Sequence, residues 1–212
     1  MILWTIQTLQ AWKVLESKGF LQCGAAHAKP DFLTAYRWMA GQMRRRLAWS
    51  PSDREVLPVW AWYQWQNSRG RKPDLRFKAH LPAGTDGVRL ELEVRRDSVL
   101  LSDFDLWHCV LNRCYLPISA EDDAAFDRLL QTRGLGSTAF DSLPTPCRQR
   151  IEDSWVRIFS LEGNADSTNT PPGREAHPGH VMAIGPDRNP LGDALHRQMN
   201  PALPVTRSGL DR

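Results

Sequence analysis

Asp105, His108 and Asn112 stand three and four residues apart, the spacing that brings side chains onto one face of a helix. A carboxylate there can orient the imidazole, and the amide can extend the chain, so the group could transfer a proton or hold a phosphate. A purely structural hydrogen-bond chain is the alternative, and no Ser or Cys stands in register to make a hydrolase triad. Glu91 is the second candidate. It alternates with Arg89, Glu93 and Arg95 in VRLELEVR, where it could be a base or a ribose ligand if that side lines a cleft, or a cross-strand partner of a cation. Trp60 and Trp62 share one side of LPVWAWYQW and could form a platform for a base or nicotinamide, although stacked aromatics also pack cores. Arg37, with Arg44, Arg45 and Arg46, could meet a phosphate or end a solvated helix.

These residues need elements to position them. MILWTIQ reads as a buried strand, followed by a helix capped by Thr8, carrying Leu9, Trp12 and Leu15 and stopped by Gly19. Leu33, Tyr36, Ala40, Met43 and Leu47 recur at helical steps, with Asp31 placed to cap them. Leu57 to Trp65 reads as a strand. Leu75 to Leu81 and Val88 to Val94 both alternate and are expected to pair as an antiparallel hairpin across PAGTDG. Ser102 and Asp105 have capping-box spacing ahead of a helix that buries Trp107, Val110 and Leu111, with Cys109 and Cys114 at its end and exit. Glu121 to Gln131 reads as a helix burying Phe126, Leu129 and Leu130. Ser154 to Leu161 reads as a last strand or short helix. The expected class is α+β: a small mixed or mainly antiparallel sheet with several packed helices, followed by a disordered tail.

The tail follows from composition. Every aromatic residue lies at or before Phe159, while residues 162–212 hold seven of the 15 Pro and six of the 14 Gly. A second core is not expected there, so the reading is one domain over 1–161 and a low-order tail over 162–212. The 212 residues suffice for one core and exclude a large multidomain machine. Twenty-seven basic against 24 acidic residues leave +3, which permits nucleic acid without indicating it. No 18-residue apolar run and no secretory leader is found, so the expectation is a cytoplasmic chain without a membrane partner. The four cysteines form no CxxC pair, and His177 and His180 lack further ligands, so no metal is predicted. No phosphate loop, dinucleotide fingerprint, GxSxG or HExxH is present.

LWTIQ, AYRWMAGQM, PVWAWYQW, LSDFDLWHCVLN and SWVRIF, spread over residues 1–161, resemble a small bacterial family known as domain of unknown function 3841. That resemblance implies relatives and brings no reaction. A second one lies in the opening: the first strand, the helix with Trp12 and Leu15, then Gly19 and Leu21 are similar to the entrance of compact ADP-ribosyltransferase-like domains. It implies an NAD cofactor, with Thr5 and Gln7 on the first strand where those enzymes commonly carry His or Arg. Trp60 and Trp62 would hold nicotinamide, Arg37 would neutralise the diphosphate, and a carboxylate would support the ribose cation. The final hydrophobic strand of such a domain is expected to be absent after Glu162. A non-catalytic nucleotide or nucleic-acid module, or a protein-interaction domain, uses the same residues without bond breaking.

Overall fold

The computed structural model describes residues 1–47, 56–65, 68–69, 72–77, 80–161 and 180–184. β1 (Ile2–Thr8) runs into α1 (Leu9–Lys18), whose first turn is capped by Thr8 Oγ1 accepting from Ala11 N at 3.1 Å. Gly19 closes α1 at φ 74°, a left-handed conformation that glycine adopts without a Cβ clash. The short pair β2 (Cys23–Gly24) and β3 (Val56–Leu57) flanks α2 (Leu33–Arg46). β4 (Val59–Trp62) leads to the small ribbon β5 (Gln64–Trp65) and β6 (Ser68–Arg69). Then come β7 (Gly87–Glu93), β8 (Val99–Asp103), α3 (Phe104–Leu111), α4 (Ala120–Thr132), α5 (Thr145–Ser154), a 3-10 turn over Trp155–Phe159, and β9 (His180–Ile184).

The principal sheet has the order β7-β1-β4-β9-β8, and each of its neighbouring pairs is antiparallel. The protein is therefore a mixed α+β fold in which, among the described residues, five helices pack around a small antiparallel sheet. Strand alternation divides the core in two. Leu3, Ala61, Leu90, Leu92 and Val99 meet Leu15 on the α1 side. Leu100 and the partly buried Trp60 face the larger cluster of Met39, Met43, Trp107, Val110, Phe126, Ile151 and Trp155 from α2, α3, α4, α5 and the final turn.

Several local expectations change. Among the described residues Leu75–Leu81 forms no hairpin with Val88–Val94: β7 pairs with β1 in register over seven residues, and the chain turns at Asp74, whose Oδ1 accepts from Arg76 N at 2.9 Å. That side-chain turn competes with extension, while β1 offers β7 a partner of equal length; Lys78 and Ala79 lie outside the described residues. The loop ahead of β7 instead lies on it, since a Cβ on Gly87 would collide with Leu81 Cδ1. Asp103, not Ser102, caps α3 by accepting from Leu106 N at 2.9 Å, and α2 begins from a Pro30–Phe32 turn without a side-chain cap from Asp31.

Beyond the expected boundary near Leu161, His180–Ile184 pairs with β4 on one side and β8 on the other. Val181–Ile184 is a run of four aliphatic or small residues, enough for a strand, and a census of aromatics is blind to it. Residues 162–179 and 185–212, including His177, lie outside the described set.

The helix assignments generate a contrast between neighbours. Trp107 is 3% exposed and touches Trp60 and Tyr36, whereas His108 is exposed. Trp107→Ala should cost about 3–5 kcal/mol in urea unfolding, against about 0.5 kcal/mol or less for His108→Ala. In native-state hydrogen exchange the amides of Val181–Ile184 should be protected like those of β1; exchange at the rate of frayed backbone would remove β9 from the sheet.

Candidate functional site

Across the sheet one row of residues is fixed by pairing. Trp4 stands opposite Glu91 on β7 and opposite Trp62 on β4, so the three side chains share a face. Two strand spacings separate Glu91 from Trp62, about 10 Å. Trp4 Nε1 donates to Glu91 Oε2 at 3.1 Å, and Lys72 Nζ pairs with the same oxygen at 2.8 Å. These bonds, Lys72 first, hold the Glu91 carboxyl below its ordinary value of 4.5, with a further contribution from Arg89 two residues away. Arg89 Nη1 in turn donates to Pro73 O at 2.8 Å, fastening the 72–77 segment beside β7.

An aromatic wall continues from Trp62. Its ring lies 4.8 Å from Phe104 and 6.1 Å from His80; Phe104 lies 4.5 Å from His108, and His80 lies 5.2 Å from Phe77, centroid to centroid. Trp62 and Phe104 are half-buried, while His108 and Phe77, the latter 51% exposed, reach solvent at the two ends. Burial pushes the His80 imidazole below its ordinary 6.5, against the opposing pull of Asp74. His108 Nδ1 lies 2.9 Å from Phe104 O, a carbonyl that can only accept. The proton therefore sits on Nδ1, and in the neutral ring Nε2 is an acceptor.

The residues singled out from the sequence separate into three groups. Glu91, Trp62 and His108 belong to this row and wall. Trp60 shares their side of β4 but is packed among Tyr36 at 6.0 Å and Trp107 at 4.6 Å, with its buried Nε1 meeting no acceptor among the described residues. Thr5 and Gln7 fall on the opposite face. Thr5 is buried, its hydroxyl donates to Trp60 O at 2.8 Å, and Gln7 Nε2 donates to Thr5 Oγ1 at 2.7 Å.

Arg37 is exposed on α2, next in sequence to the Tyr36 that touches Trp60. The Asp105–His108–Asn112 spacing does not yield a side-chain relay through His108: its ring bonds to the Phe104 carbonyl, and Asn112 Nδ2 donates to His108 O at 2.8 Å. Phe104 O, one turn before His108, lies within reach of the ring, and a carbonyl oxygen keeps a second lone pair beside its helix bond. Trp4, His80, Phe104, Phe77 and Lys72 were not singled out. Their only sequence signal is polar or aromatic character; pairing register brings them together.

The family model described as Domain of unknown function (DUF3841) matches residues 2–175. The chain belongs to this family. No curated protein and no solved structure matches it. The DUF3841 match runs past the expected limit at residue 161 and takes in all of the row and wall, ending ahead of β9. Among the described residues, no group of three or more His, Cys, Asp and Glu could hold a metal ion, and no helix is long and apolar enough to cross a membrane.

Acid stability should report both titrating groups. A histidine favoured in its neutral form contributes stability that is full above about its ordinary 6.5 and falls as pH drops below it. A carboxylate with a depressed value contributes stability that is full above its ordinary 4.5 and is lost as pH falls towards the folded value. Urea midpoints measured against pH should therefore decline in two windows, with His80→Gln flattening the upper and Glu91→Gln the lower. An unchanged profile in either variant would contradict the assigned environment.

Proposed function

We propose that this DUF3841 protein binds a nucleotide on the Glu91–Trp4–Trp62 face, and that NAD is the nucleotide class the face suits. The observation that carries the reading is the combination of one ionised carboxylate and an aromatic wall on a single side of the sheet. Trp62 and Phe104 supply π-faces against which a base or nicotinamide ring stacks. Lys72 and Arg89 bring positive charge beside that wall, the complement of a diphosphate.

In the transferase form of this reading, the bond between nicotinamide nitrogen and ribose breaks and the nicotinamide departs with the bonding electrons. Glu91 then faces the oxocarbenium charge on the ribose, and His108 Nε2 accepts the proton of the attacking nucleophile. Thr5 and Gln7 take no part in this arrangement. β9 supplies a further strand after residue 161, a feature expected of a complete transferase-like sheet.

One observation favours a second reading, binding without transfer. Thr5 and Gln7 on the first strand bond to each other, Thr5 bonds to Trp60 O, and alternation puts both on the face opposite Trp62, so that pair is turned away from NAD held on the wall. Holding a nucleotide also demands fewer placed groups than stabilising a ribose cation.

Calorimetry with NAD and AMP separates these readings. Trp62→Ala should weaken nucleotide binding by about 5- to 150-fold, the equivalent of one lost stacking contact, with circular dichroism unchanged. Glu91→Gln should leave NAD bound while abolishing nicotinamide release followed by mass spectrometry. Binding with no release in the wild type selects the non-catalytic module. No binding of either nucleotide at millimolar concentration rejects the proposal and leaves the half-buried aromatic wall as a protein-interaction surface.

A further inference from the structure

α3 ends in a particular chain reversal. Arg113 N donates to Val110 O at 3.0 Å, Cys114 N donates to Cys109 O at 2.9 Å, and Arg113 sits at φ 57° between them. This nested pair of bonds around a left-handed residue is a Schellman motif, in which the side chains three positions before the cap and two after it are brought against each other. Both of those positions are cysteines. We propose that Cys109 and Cys114 form a reversible redox-modification site that reacts with a low-molecular-weight disulfide and closes into an intramolecular cystine.

The backbone sets the reach. One N–H···O=C bond of 2.9 Å links the two residues directly, and with standard bond lengths it keeps their Cα atoms under about 7 Å, within the span a disulfide bridges. Both residues are thiols in this structure. The turn between them is held from outside as well: Trp155, fully buried, donates its Nε1 to Cys114 O at 2.7 Å. Arg113 is tied to Asp141 at 2.5 Å. Closing the bridge therefore asks for side-chain rotation rather than refolding of the helix end.

Exposure divides the roles. Cys114 is exposed and Cys109 is half-buried against the larger core, so an external disulfide reaches Cys114 first. The Cys114 thiolate attacks one sulfur of the small disulfide, whose S–S bond breaks and releases one thiol carrying the proton that Cys114 lost. The Cys109 thiolate then attacks the Cys114 sulfur of the mixed disulfide, and the second small thiol leaves with the proton from Cys109. Two electrons pass from the protein sulfurs to the reagent. The inference is independent of the nucleotide reading, since it requires neither the row nor the wall.

The full chain, folded and reduced, is treated with oxidised glutathione, quenched in acid, alkylated and digested with trypsin. Cleavage after Arg113 separates the two cysteines onto peptides 97–113 and 114–128, so a cystine appears as a linked pair. The expected wild-type product is that pair, an intact mass lower by about 2 Da, and full reversal by dithiothreitol. Cys109→Ser should stop at one glutathione retained on Cys114, and a Cys23→Ser, Cys147→Ser double variant should still close the bridge. Far-ultraviolet circular dichroism before and after oxidation confirms that the folded chain reacted. A wild type that stays fully reduced, keeps a glutathione on Cys114, or links either cysteine to Cys23 or Cys147 overturns the proposal.

Discussion

Trp4 is the hinge of the arrangement, because β1 lies between β7 and β4 and its pairing decides which residues look the same way. Standing opposite Glu91 on one side and Trp62 on the other, it aligns a carboxylate with an aromatic wall. A slip of one residue would send Glu91 into the apolar layer under α1 and turn Leu90 and Leu92 towards the side that carries Trp4 and Trp62. The indole also takes a direct part. It is buried, yet its N–H is satisfied by Glu91, so the bond removes an orphan donor from the sheet and, after Lys72, adds to what holds the carboxyl below its ordinary value.

α3 connects that face to the larger core. Its first residue, Phe104, touches Trp62; one turn on, Trp107 packs between Trp60 and Tyr36; and its exit is fastened by Trp155 to the final turn. The following segment is tied down by polar bonds. Asp122 accepts from the Tyr115 hydroxyl and from Ile118 N, which lower its pKa below the ordinary 3.8 with Ile118 as the leading cause, and Ser154 Oγ accepts from Leu116 N at 2.9 Å. The wall is thus presented by a helix whose other sides are committed to packing.

Local signals in the sequence read well where short-range physics decides. Thr8 and Gly19 bound α1, and the helical spacing that includes Ala40 and Met43 marks the buried side of α2. They fail where partners are remote. VRLELEV announces a half-buried strand but does not say that β1 rather than LRFKAHL will pair with it. The site suffers most from this limit: Glu91, Trp62 and His108 can be picked out by type, while Trp4, Lys72 and His80 join them only through register and loop path. Thr5 and Gln7 look available on paper, and strand alternation turns them away from Trp62. Helix α5, without a strong apolar stripe, goes unnoticed, although Cys147 and Ile151 bury its inner side.

The position of β9 also bears on how the chain reaches its folded state. This strand comes last among the described elements yet lies inside the sheet, where it bridges β4 and β8. As a polypeptide leaves the ribosome, β4 and β8 must therefore wait with open ladder edges until His180–Ile184 has emerged. During that interval each edge can recruit a strand from another molecule. The assembly step most exposed to mispairing is thus the closing of the sheet's interior, a long-range event that loop closure makes slow.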